Sequence, residues 1–297
     1  MYASTTNHCF IQSRRYCNCS MDVSYQFMQN TNIEEFMMDI QRICFVYFSP
    51  TGTTKNVMKL LGKEFNEEIT EYDLTNYKQN DIAVSFSETD FVIFGFPVYS
   101  GRVPETMTAR LKNVTGSKTP MAIVATYGNR EYDDALLEMK TMMETAGFKT
   151  IGAAAVVTEH SVVRTIGAGR PNENDRMIIK RYANELHHKI ATMLDVNEQK
   201  DLKVNGNTPY RRYVHIPMAP KSTSKCNNCK VCCNICPTGA IEYKSKIKTN
   251  SNKCIGCMRC VRFCPQHART IGKMKTWGAN IFLKTMCKED KQPELFL

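Results

Sequence analysis

Ile43-Cys-Phe-Val-Tyr-Phe48, followed directly by Ser49-Pro-Thr-Gly-Thr-Thr54, decides how the larger part of the chain is read. The first six residues are an unbroken apolar and aromatic run, short enough to be a strand buried on both faces. The next six form a hydroxyl-rich glycine turn, after which Val57, Leu60, Leu61 and Phe65 recur at helical spacing. A strand, such a turn and a helix start make a phosphate cradle: backbone N–H groups and hydroxyls donate to phosphate oxygens, and the positive helix end reinforces them. Gly52 supplies the conformational freedom, and Ser49, Thr51, Thr53 and Thr54 supply the donors. The G-x4-G-K-[ST] of nucleoside-triphosphate loops is absent, and a plain helix cap is the alternative reading.

Working outward, Asp90–Phe96 and Met121–Thr126 read as buried strands, with weaker ones at Glu68–Leu74 and Ile151–Thr158. Helical patterns cover Tyr132–Ala146 and Asn172–Leu194. Strands alternating with helices predict an α/β, doubly wound, five-stranded parallel sheet whose ligand lies at the carboxyl ends of the strands. Two aromatic, polar loops close that rim, Pro97–Gly101 and Tyr127–Tyr132. Glu159, His160 and Ser161 end the fifth strand there, which places a titratable histidine where it can deliver protons or meet another part of the chain.

Ser49 to Thr54 resembles the [ST]-x-T-G-x-T phosphate loop of flavodoxins at every specified position. The resemblance implies the flavodoxin-like strand order 2-1-3-4-5 and FMN as the ligand. It also implies that Tyr99 and Tyr127 flank the isoalloxazine ring while Gly101, Gly128 and Asn129 shape the two loops around it. Ordinary core packing is the alternative role for either tyrosine.

Farther along, Cys226, Cys229, Cys232 and Cys236-Pro237 read C-x2-C-x2-C-x3-C-P, and Cys254, Cys257, Cys260 and Cys264-Pro265 repeat it 28 residues later. The spacing predicts two [4Fe-4S] clusters, because three close cysteines wrap one face of a cubane and the fourth must come from the other repeat. One cluster then takes Cys226, Cys229, Cys232 and Cys264; the other takes Cys254, Cys257, Cys260 and Cys236. Each half completes its partner, so neither is expected to fold alone. The pattern resembles the bacterial two-cluster ferredoxin module, of the small α+β class, except that Arg269 stands where an apolar residue packs. Cys233 adjoins Cys232, but its position in the second repeat is Val261. A pair of zinc sites or a disulfide set are the competing readings.

Charge follows the same division. Residues 197–297 carry 19 Lys or Arg against 6 Asp or Glu, whereas residues 1–196 carry 20 against 23, so the net charge of +10 belongs to the cysteine-rich part. A basic surface there favours an acidic redox-protein partner. No nucleic-acid motif accompanies it. There is no run of 18 apolar residues, so no membrane span is expected. Outside the two repeats, Cys9, Cys17, Cys19, Cys44, Cys233 and Cys287 have no evident pairing, which suits a reducing, cytoplasmic and anaerobic setting.

The expected organisation is a polar, disordered extension over 1–40, an α/β domain over 41–196 and a linker over 197–220. A ferredoxin-type domain at 221–272 and a tail at 273–297, holding Trp277 and Cys287, complete it. Residues 1–21 contain Arg14, Arg15 and no acid, as organellar transit peptides do, without the apolar core of a secretory signal. The two resemblances together match the EFR1-type fusions of a flavodoxin-like domain ahead of a two-cluster ferredoxin domain. They imply an electron-transfer protein joining FMN, a carrier of one or two electrons, to one-electron clusters. The alternatives are a reductase of a small-molecule acceptor, with Tyr99, Tyr127, Arg130 and His160 around its pocket, and a redox-responsive interaction protein. No GxGxxG dinucleotide fingerprint is evident.

Overall fold

Along each central strand, neighbouring residues point to opposite faces, and both faces are apolar. In β1 (Arg42–Tyr47), Ile43, Phe45 and Tyr47 pack on one side while Cys44 and Val46 pack on the other. The first set meets α1 (Thr53–Gly62) through Val57, Met58 and Leu61. A sheet with two apolar faces needs a helical layer on each, which is the three-layer arrangement observed. The computed structural model describes residues 38–77 and 83–297, and Met38–Leu297 forms one compact unit. The polar extension expected over 1–40 lies outside the described residues as far as residue 37, together with Cys9, Cys17, Cys19 and the transit-like composition.

β2 (Ile69–Asp73), β1, β4 (Asp90–Pro97), β6 (Thr119–Tyr127) and β7 (Phe148–Val157) lie side by side, all parallel. That is the order 2-1-3-4-5 with every carboxyl end on one rim. A smaller parallel pair, β3 (Val84–Phe86) with β5 (Val114–Gly116), sits apart from this sheet. On the second face lie α2 (Glu105–Arg110) and α3 (Ala135–Thr145), the latter through Leu136, Met139 and Met143. α4 (Glu173–Thr192) joins α1 on the first face through Ile179, Tyr182, Ala183, Leu186 and Ile190. Its start is fixed by a capping box, in which Asn172 accepts from the Asp175 N–H at 3.0 Å and Asp175 accepts from the Asn172 N–H at 2.7 Å.

Residues 197–220 have almost no regular structure, but they are held along their length. Leu202 and Val204 pack on the sheet core, and Asp134 accepts from the N–H groups of Asn207 and Arg211 at 2.8 and 2.7 Å. The cysteine-rich part contains β8 (Lys221–Ser222), α5 (Val231–Asn234), β9 (Ile241–Tyr243), β10 (Ile247–Thr249), α6 (Arg259–Arg262) and β11 (Arg269–Thr270). β8 pairs with β11 and β9 with β10, both antiparallel.

The chain end returns to the large sheet. After α7 (Lys273–Met286), β12 (Glu294–Phe296) adds to β7 as a sixth, antiparallel strand, which covers an edge that β7 would otherwise expose. α7 buries Ala279 and Leu283 on Val163 and Ile166 and leaves Met274, Trp277 and Phe282 exposed. Among the described residues, no helix is long and apolar enough to cross a membrane.

Candidate cofactor sites

The glycine turn after β1 has the geometry of a cradle. Gly52 adopts φ 87°, the left-handed region, and is the N-cap of α1, where it offers no side chain to the first turn. Its hydroxyls divide into two pairs. Ser49 Oγ accepts from the Lys55 N–H at 2.9 Å, and Thr54 Oγ1 lies 2.7 Å from Thr126 Oγ1, so both brace the loop from within. Thr51 and Thr53, 3.3 Å apart, line the cavities on its open side. Two hydroxyls on the cavity side and a helix start whose N-cap is a glycine suit a phosphate.

Beyond them, a cavity of about 450 Å³ opens at the carboxyl rim. Tyr99 and Gly101 line it from the loop after β4, in a tight turn where Tyr99 and Arg102 exchange backbone hydrogen bonds of 3.0 Å and Ser100 and Gly101 take positive φ. Burial, with the cysteines Cys257 and Cys254 nearby, pushes the Tyr99 phenol well above its ordinary value. Tyr127 and Gly128 line the cavity from the loop after β6, but the Tyr127 ring is buried against Tyr132, 5.5 Å between centroids. The Asn129 side chain turns to the chain end, donating to the Glu289 carbonyl at 2.8 Å and accepting from the Lys291 N–H at 3.1 Å. A β-carbon on Gly128 would stand 2.4 Å from the His160 ring, so glycine is what lets that ring approach. His160 Nδ1 faces the N–H groups of Val162 and Val163 at 3.2 and 3.1 Å, which leaves the proton on Nε2. Burial, with Arg130 adding, lowers its pKa to about 4, so at physiological pH the ring is the neutral imidazole, a hydrogen-bond donor through Nε2 and not an imidazolium acid.

The cysteines of the two repeats border two separate small cavities. One cavity is bordered by Cys226, Cys229, Cys232 and Cys264, and another by Cys236, Cys254, Cys257 and Cys260. The repeats share their backbone as well as their spacing. Lys230 and Met258 both take φ 61° before α5 and α6, and the Ala240 and Ala268 N–H groups each donate to the sulfur of the Cys four residues earlier at 3.3 Å. Four cysteines around each cavity, with backbone donors aimed at two of the sulfurs, are the ligand chemistry of an iron–sulfur cluster. Cys233 borders neither cavity. Arg269 occupies a slot as buried as that of Ile241, its counterpart, because Ser222 Oγ at 2.9 Å and the Pro220 carbonyl at 2.7 Å accept from its guanidinium.

Comparison with known families matches residues 44–151 to the flavodoxin domain and residues 247–270 to the 4Fe-4S binding domain. The chain joins a flavodoxin domain to a 4Fe-4S ferredoxin-type domain. Among solved structures it is similar to the flavodoxin of Streptococcus pneumoniae TIGR4, with 15% identity over 50% of this chain and 98% of that one and a TM-score of 0.36. Flavodoxin 2 from Bacillus cereus is similar at 14% identity over 50% and 99%, with a TM-score of 0.38. No curated protein matches. These domains are ones for electron transfer with flavin and iron–sulfur groups.

The seam between the flavodoxin domain and the ferredoxin module holds residues with no signature in the sequence. Ile255 and Gly256, inside the Cys254–Cys257 loop, line the large cavity beneath the flavodoxin rim. Arg259 Nη1 donates to the Pro50 carbonyl at 2.6 Å, and Arg262 pairs with Glu159 at 3.0 Å. Buried Arg110 donates to the carbonyls of Leu74 and Pro237, one on each side of the seam. Tyr213 and His215 from the 197–220 stretch and Phe282 and Met286 from α7 wall the rest of the cavity. Lone arginines and an irregular segment carry no periodicity, so only long-range contacts reveal them.

Proposed function

We propose that this chain is an electron-transfer protein in which two [4Fe-4S] clusters, held by the two cysteine quartets, are wired to FMN at the flavodoxin rim. One observation carries the reading: the loop Cys254-Ile255-Gly256-Cys257 has its cysteines on one cluster cavity and Ile255 and Gly256 on the flavin cavity. The cluster of Cys254, Cys257, Cys260 and Cys236 is then the one beside the flavin, and the other faces outward. FMN supplies a store of one or two electrons, and each cluster passes one. Thr51, Thr53 and the start of α1 hold the phosphate, Tyr99 and the Gly128 backbone border the ring, and neutral His160 presents Nε2–H to the same cavity. The arm at Tyr213 and the α7 side chains Phe282 and Met286 form the outer wall of that cavity.

The basic module suits an acidic redox-protein partner docking on the outer cluster. The experiment compares flavin reduction by a low-potential one-electron donor in the native protein and in the Cys257→Ala and Cys229→Ala variants, each first shown to bind FMN. Slowed flavin reduction in both supports the reading; wild-type rates in both sink it.

A further inference from the structure

A cavity of about 180 Å³ lies where the phosphate loop meets the ferredoxin module. On the flavodoxin side it is lined by Thr51, Thr53, Ser161 and Arg164; on the other side stand Arg262, His267 and Arg269. Glu159 is the one acid lining this cavity, shared between Arg164 at 2.7 Å and Arg262 at 3.0 Å, and with Arg269 also on the wall three guanidiniums face a single carboxylate. Next to it, Arg259 Nη1 donates to the carbonyls of Pro50 at 2.6 Å and Ser49 at 3.4 Å. Those carbonyls sit at the entry of the turn that carries Thr51 and Thr53, which line the cavity.

The loop itself offers only neutral donors: no Lys or Arg occurs among Ser49 to Thr54. A phosphate monoester carries roughly −1.5 to −2 at pH 7, and charge enclosed between two domains needs a counter-charge. The cations that line the cavity from the ferredoxin module are Arg262, at the end of α6, and Arg269, on β11. We propose that the ferredoxin module supplies the cationic half of the flavin-phosphate site, with Arg262 as the counter-charge and Arg259 as a positioning residue that holds the loop carbonyls. This rests on FMN occupying the flavodoxin rim. Because α6 carries the cluster ligand Cys260, with Arg259 just before it and Arg262 two residues after it, that cluster fixes both arginines, and iron loading and FMN retention are linked in both directions.

The test uses the full chain, cluster-loaded and freed of flavin under anaerobic conditions, titrated with FMN and with riboflavin, which shares the ring and lacks the phosphate. Quenching of flavin fluorescence gives both affinities. Arg262→Gln and Arg259→Gln are expected to weaken FMN by about tenfold each, in line with the loss of one charge-assisted contact, and to leave riboflavin within about twofold. Arg262→Lys should restore part of the FMN affinity. Removing iron with a chelator should lower FMN affinity more than riboflavin affinity. Equal losses for the two flavins, or unchanged FMN binding in Arg262→Gln with iron content intact, would overturn the proposal. Native protein that binds riboflavin but gains nothing from the phosphate also overturns it, while native protein that binds neither flavin removes the flavin reading beneath it.

Discussion

The carbonyl of Pro50, at the entry to the phosphate loop, accepts a 2.6 Å hydrogen bond from the guanidinium of Arg259, which stands between two cysteines of the second cluster motif. Two sequence motifs separated by some two hundred residues are therefore in direct contact. Arg262 with Glu159 and Arg110 with Pro237 repeat the pattern at other points of the seam. The ferredoxin module is fitted against the flavodoxin rim by several buried or half-buried arginines.

Replacing Arg110 tests that fit. Its guanidinium is buried and bonds carbonyls on both sides of the seam, and Arg110→Met leaves both carbonyls unpaired. Unfolding in denaturant should show a loss of roughly 1–3 kcal/mol, and a chelator should extract iron faster.

Arg269 places a positive charge beside Cys260, with Nη2 4.0 Å from the sulfur. Arg269→Ile copies the residue already present at Ile241 in the first repeat. A reduced cluster carries more negative charge than an oxidised one, so removing the cation should lower the midpoint potential of the cluster held by Cys260 by tens of millivolts. A redox titration followed by electron paramagnetic resonance measures the shift, and no change would place the guanidinium charge outside the field of that cluster.

His160 makes the protein acid-sensitive. Its folded pKa, lowered to about 4 chiefly by burial, lies below the ordinary value of 6.5, so the unfolded chain binds the proton first. Stability therefore falls as pH drops from about 6.5 to about 4, by up to roughly 3 kcal/mol from this group. His160→Asn, which keeps a polar side chain and loses the titration, should flatten that part of the profile when denaturation midpoints are compared across the window.

Deleting residues 288–297 removes β12 along with the Asn129 contacts to Glu289 and Lys291 and the bond from Arg170 to the Lys291 carbonyl at 2.7 Å. The exposed edge of β7 then becomes a template for pairing between chains. Light scattering should show concentration-dependent association, and the thermal midpoint should fall.

The parts of this structure that repeat locally were legible in the sequence. Continuous apolar strands such as Phe91–Phe96, the loop from Ser49 to Thr54 and the doubled cysteine pattern each declare themselves within a dozen residues or at one fixed offset. What stayed hidden depends on distant pairing. β12 is a three-residue strand, Glu294–Phe296, that exists because β7 offers an edge. The helix Lys273–Met286 leaves Met274, Trp277 and Phe282 exposed, so its apolar residues do not mark a single buried stripe. Nor does spacing separate Thr51 and Thr53, which face the cavities, from Thr54, which turns inward to Thr126.

The most direct measurement is an anaerobic reductive titration of the reconstituted protein, with iron, sulfide and FMN counted per chain. Two clusters and a flavin on one chain should take up four electrons, two in FMN and one in each cluster, with about eight irons present. Uptake of two electrons with iron complete and no FMN retained after its addition would contradict the account, leaving a ferredoxin module joined to a flavodoxin domain that holds no flavin.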